Sequence, residues 1–125
     1  MAESAQPAAA AETHTLGSDV QHSNEKYTVP VKFAWDPSKA EENLKAHGVD
    51  FREAATVFDD LLSTTFPDVE HSVGERRFLI IGQSATGRIL VVSHTETGDT
   101  IRIISARTAT RREQRFYEED ESSTH

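Results

Sequence analysis

Apolar positions recur with a strand period in the second half of this chain and with a helix period at three points around it. The clearest strand is Thr100 to Arg107, TIRIISAR, where Ile101, Ile103 and Ile104 supply β-branched bulk without Gly or Pro; this is the pattern of a strand buried on at least one face. Arg77 to Gln83 and Arg88 to Thr95 precede it as two further strands, and short turns through Gly87 and Gly98 force the three into an antiparallel meander. Val31 to Trp35 predicts a short strand with Val31, Phe33 and Trp35 on one side, and Leu62 to Phe66 another that Pro67 ends. Asp36 followed by Pro37 starts a helix and Gly48 ends it, giving Pro37 to His47. Asp50 with Glu53 three positions on starts a second, Phe51 to Phe58, with Phe51, Ala54, Ala55, Val57 and Phe58 as its apolar face. Thr108 or Thr110 caps a third, Ala109 to Glu119, with Glu113 placed for a capping box to Thr110. The polar segment Asp68 to Glu75 is a loop that carries His71.

These elements predict an α+β fold: a short strand and two helices, then an antiparallel sheet, then a closing helix. Two helices cover one sheet face and leave the other partly open, and a site is expected on that open face. At 125 residues one domain is expected. Residues 1–30 hold only Leu16, Val20, Tyr27 and Val29 as sizeable apolar groups, too few to offset chain ordering, and read as a disordered acidic tail. The domain then spans 31–119, followed by a second acidic tail over 120–125.

Charge changes this picture. The formal net charge is -8, but residues 71–117 hold eight arginines and no lysine against Glu75, Glu96, Asp99 and Glu113, a local balance of +4. Guanidinium suits bidentate phosphate contacts better than ammonium does. No apolar run approaches the ~18 residues of a membrane span, the first eleven residues lack the form of a secretory signal, and there is no cysteine. A soluble, cytoplasmic protein without a disulfide framework or thiolate chemistry is expected.

Several residues could carry chemistry. Arg102 and Arg107 lie five positions apart, and because side chains alternate across a strand this puts them on opposite faces. Pairing Gln83 with Arg88 sets Arg77 opposite His94; shifting the turn by one residue makes Arg102 its neighbour instead. Either way an imidazole stands beside a guanidinium and can act as a base near neutral pH. Lys45 and His47 either collect at a helix C-terminus for its dipole or serve the site. His71 with Glu75 and Arg76 offers an acid or base beside a phosphate ligand. The third helix, with Arg111, Arg112 and Arg115, lies along a phosphate backbone or docks on an acidic partner protein. No HExxH, GxSxG, P-loop or GxGxxG motif occurs, which leaves metalloprotease, hydrolase and nucleotide-binding readings without support.

With KFAWDPSKAEENLKAHGVDFREAATVFDD, ERRFLIIGQSATGRILVV and DTIRIISARTATRREQRFYEE in order, the chain resembles the BrnT family of toxins from bacterial type II toxin–antitoxin modules over about Lys32 to Glu119. The family motifs coincide with Trp35, Asp36, Lys45, His47, Gly48, Arg77, Gly82, Arg102, Arg107, Glu113 and Tyr117. The resemblance implies a RelE-like fold, ribonuclease activity that blocks translation, and neutralisation by a BrnA-type antitoxin with a ribbon-helix-helix DNA-binding part. The complex would repress its own operon, so operator DNA is met only through the antitoxin. RNA cleavage without metal or cofactor needs a base for the 2′-hydroxyl, cations for the phosphorane and an acid for the 5′-oxygen. On that chemistry Arg77, Arg102 and Arg107 hold phosphate, His94 or His47 is base or acid, and Lys45, Arg111, Arg112 and Tyr117 support the RNA. The alternative is a non-catalytic module whose arginine face binds an acidic partner or nucleic acid.

Overall fold

Asp36 and Pro37 do start the first helix, and Gly48 stops it, as their chemistry requires. The computed structural model of this chain describes residues 14–15 and 31–123. Helix α1 is Pro37–His47: the Asp36 carboxylate accepts from Ser38 N at 2.9 Å, and Gly48, at φ 71°, donates its N–H to Leu44 O. Helix α2 is Phe51–Thr56, shorter than predicted because its last turn tightens into a 3₁₀ turn over Val57–Asp59. Glu53 does not complete the capping box that its spacing suggested; Asp50 alone caps α2, through Arg52 N at 2.7 Å. Helix α3 is Arg111–Ser123, so the tail predicted from 120 begins inside a helix. Its capping box forms as read, with Glu113 N donating to Thr110 Oγ1 and Thr110 N donating to Glu113 Oε1.

The strands are β1 His14–Thr15, β2 Lys32–Ala34, β3 Thr64–Pro67, β4 Phe78–Gln83, β5 Ile89–Thr97 and β6 Thr100–Thr108. They form one sheet in the order β1-β2-β6-β5-β4-β3. The meander β4-β5-β6 is antiparallel as expected, while β2 runs parallel to β6 because α1, α2 and the meander intervene. Of the predicted tail only His14–Thr15 are described, and these pair antiparallel with Phe33 and Lys32; the rest of that expectation lies outside the described residues.

The main core lies between the sheet and α1 and α2. Phe33, Phe51, Val57, Leu90, Val92 and Ile103 are all buried there, each such side chain contributing about 1.5–3 kcal/mol. A smaller cluster of Ile81, Val91 and Tyr117 lies under α3 on the other face. Where β4 passes the end of α2 it must be glycine: a Cβ on Gly82 would stand 2.8 Å from Ser63 Cβ and 2.9 Å from Val57 Cγ1.

Glu53 turns instead to the β4–β5 turn. Arg88 donates to both its oxygens, at 2.6 and 3.0 Å, and Ser84 and Thr86 hydroxyls donate to Oε2. The Arg88 bonds first, then the two hydroxyls, hold the Glu53 carboxyl at about 2, against partial burial.

Candidate functional site: a sheet face of arginines

Pairing along β5 and β6 decides where the arginines point. Val91 lies opposite Arg107 and Ser93 opposite Ser105, but the next residue, His94, lies opposite Ile103, so Ile104 is an extra residue on β6. Residues directly opposite share a face. Thr95, opposite Arg102, and Val91, opposite Arg107, are four apart on β5 and therefore face the same way. The bulge thus overturns the expectation that Arg102 and Arg107 occupy opposite faces. Both stand on the α3 face, while Ile103 and Ala106 between them remain in the main core.

On that face Arg102 Nη2 donates to Glu75 Oε1 at 2.8 Å and Oε2 at 2.7 Å. Arg77 Nη2 stands 3.8 Å from the same carboxylate, and Arg77 Nε is enclosed with no hydrogen-bond acceptor among the described residues. Arg107 meets Glu113 fork to fork, at 2.8 and 3.0 Å. That pair lowers the Glu113 carboxyl to about 2 and raises Arg107 above the usual guanidinium value. The side chains of Arg102 and Arg107 remain 40% and 41% exposed, so each is oriented by a carboxylate yet open to a polyanion. Arg111 and Arg112 are exposed at the start of α3, and Arg112 borders an apolar hollow of about 260 Å³ with Phe66, Ile81 and Phe116.

The histidines separate. The hairpin pairs Gln83 with Ile89 rather than Arg88, which sets His94 opposite Phe78 and Ile103 on the α1/α2 face. His94 is fully buried, its ring edge-on to Phe58 at 4.8 Å and stacked on Phe78 at 5.8 Å, with Nε2 2.9 Å from Glu96 Oε2. Neither Arg77 nor Arg102 is the neighbour that the two predicted registers gave it. Tyr117, expected to support RNA, is buried with its hydroxyl donating to Asp60 Oδ2 at 2.7 Å; it anchors α3. His71 is exposed and its Nδ1 lies 2.8 Å from Asp68 rather than beside Glu75. Lys45 and His47 are exposed on α1. His47 borders an open notch of about 220 Å³, shared with Lys39, Glu42, Ala46, Ile104 and Ser105, at the edge of β6.

Sequence reasoning missed Asn43. Its buried amide donates to Ala106 O at 2.8 Å and to Val49 O at 3.1 Å, and accepts from Ala106 N at 3.1 Å, completing the edge of β6 where β2 has ended. The available signal was an Asn on the same helical stripe as Ala40 and His47.

The family model described as "Ribonuclease toxin, BrnT, of type II toxin-antitoxin system" matches residues 35–113. A solved structure, the 1.1 Å crystal structure of the Brucella abortus ribonuclease toxin BrnT, is 26% identical, with 62% of this chain and 94% of that chain covered at a TM-score of 0.49. No curated protein matches.

Proposed function

Because the chain belongs to the BrnT family of ribonuclease toxins of type II toxin–antitoxin systems, we propose that it is an endoribonuclease toxin that cuts RNA by acid–base catalysis without metal and so inhibits translation. The observation that supports this site is that the β6 bulge turns Arg102 and Arg107 to one sheet face, with Arg77 Nη2 3.8 Å from the Glu75 carboxylate that Arg102 also meets. In the reaction a base takes the 2′-hydroxyl proton, the oxygen attacks phosphorus, and the 5′-oxygen leaves as an acid returns a proton. Guanidinium groups stabilise the charge that gathers on the phosphorane. His94 is withdrawn from this scheme by its burial, and His47 takes one proton-transfer role, with Lys45 beside it on the exposed end of α1.

The same reading gives the protein a RelE-like arrangement, a bacterial cytoplasmic setting and a BrnA-like ribbon-helix-helix antitoxin through which the complex meets operator DNA. Among the described residues no helix is long and apolar enough to cross a membrane. A second reading has one observation in its favour: Glu75 and Glu113 already satisfy Arg102 and Arg107, as in a non-catalytic module that binds an antitoxin or nucleic acid. Incubating RNA with the protein in EDTA separates the two. Cleavage that Arg102→Ala and Arg107→Ala abolish supports the nuclease; binding without cleavage supports the module.

A further inference from the structure

We infer that the notch between α1 and the bulged edge of β6 is a nucleobase subsite, which seats one unpaired RNA base bearing an exocyclic amine between phosphates held at Arg102 and Arg107. The inference rests on the ribonuclease reading and deepens it. Three features make the notch. Strand β2 ends at Ala34, opposite Arg102; the Asn43 amide takes up the edge again at Ala106; and between them Ile104 has left the ladder with β5. Residues 104 and 105 therefore lie along a stretch of edge that no strand covers.

The lining suits a base. Ile104 and Ala46 offer apolar contact, the exposed imidazole of His47 offers a stacking face, and Glu42, Lys39 and Ser105 supply polar groups at the rim. Unpaired RNA bases are recognised by such a combination of stacking and edge hydrogen bonds. Ile104 is two residues from Arg102 and Ser105 two from Arg107, about 7 Å along a strand in each case; because the notch lies at the sheet edge, an RNA strand that seats a base there turns over the edge to lay its phosphates on the α3 face, where both arginines stand. The Glu42 carboxylate accepts hydrogen bonds only, and uracil offers it a single N3–H set between two carbonyl oxygens that repel it, so the exocyclic amines of adenine, cytosine and guanine are favoured.

Fluorescence anisotropy on the full chain with short oligo(A), oligo(C), oligo(U) and an abasic oligonucleotide of equal length tests this. The wild type should bind the amine-bearing strands about tenfold more tightly than oligo(U) or the abasic strand. Ala46→Leu, at an exposed helix position, and Ser105→Leu each fill the notch without adding a stacking face and should bring all four strands to the abasic level. Circular dichroism identifies a variant that fails to fold, in which case the other carries the test. Equal binding of all four strands by the wild type, or a preference that survives in the folded variants, overturns the subsite and leaves the nuclease reading standing. No binding of any strand overturns both.

Discussion

Arg102 and Arg107 share a face of β6 although they stand five positions apart, an odd offset, because Ile104 has no partner on β5. A bulge of this kind re-aims one side chain at the cost of a local break in the ladder. Here it lets Ile103 and Ala106 stay in the core while two guanidinium groups emerge together on the other side.

Arg102→Ala and Arg107→Ala should each lower the rate of RNA cleavage by about 10²–10³-fold, the usual effect of removing one preorganised charge donor. Both side chains are part-exposed, so the circular dichroism spectrum should remain that of the wild type. Arg107→Lys should rescue little, since a point charge cannot reproduce the fork that meets Glu113. Cleavage by both alanine variants at the wild-type rate would remove these residues from the site.

Glu75 fills the space beside Arg102 and Arg77, where the proposed function sets a phosphate. Glu75→Gln should therefore tighten RNA binding and steepen its salt dependence by about one unit of log–log slope, as one more cation becomes free to release counterions. Anisotropy titrations across a salt series read both quantities. Unchanged affinity and slope would show that Glu75 does not compete with phosphate.

The two candidate histidines should part company. His47→Ala, at an exposed position, should abolish cleavage with little change in Tm. His94→Ala empties a space between Phe58 and Phe78 and should cost about 2–4 kcal/mol of stability, while the activity per folded molecule is kept. Thermal melts paired with initial rates decide the matter, and the opposite pattern would return His94 to the chemistry.

Much of this was legible in the chain because it depends on neighbours in sequence. The Asp36–Pro37 start and Gly48 stop of α1 and the Thr110–Glu113 capping box are local rules, and they formed as written. Register is not local. A hairpin paired through Ile89 instead of Arg88 moved His94 into the core, and one unpaired residue on β6 reversed the face of an arginine. No residue type at Ile104 announces a bulge, and the Asn43 amide that takes up the strand edge just beyond it, at Ala106, comes from sixty-three positions before Ala106. Tyr117 misled for a related reason: a motif position expected to support RNA finds its hydroxyl partner, Asp60, fifty-seven positions away inside the fold.

Acid should expose the role of Glu53. Its carboxyl sits at about 2 in the folded chain against an ordinary 4.5, chiefly because Arg88 donates to it. A folded-state value below the unfolded one contributes stability that is complete above pH 4.5 and is lost as the pH falls toward 2. Glu113 is lowered to about 2 by Arg107 and acts over the same window. Glu53→Gln should lower stability at pH 7 by about 2 kcal/mol, or roughly 10 °C in Tm, and should make the acid limb of a stability–pH curve shallower without flattening it, since Glu113 remains. Urea unfolding at intervals between pH 2 and 7 measures this. A variant whose acid limb matches the wild type would mean that the Glu53–Arg88 pair does not fasten the β4–β5 turn to α2 in solution.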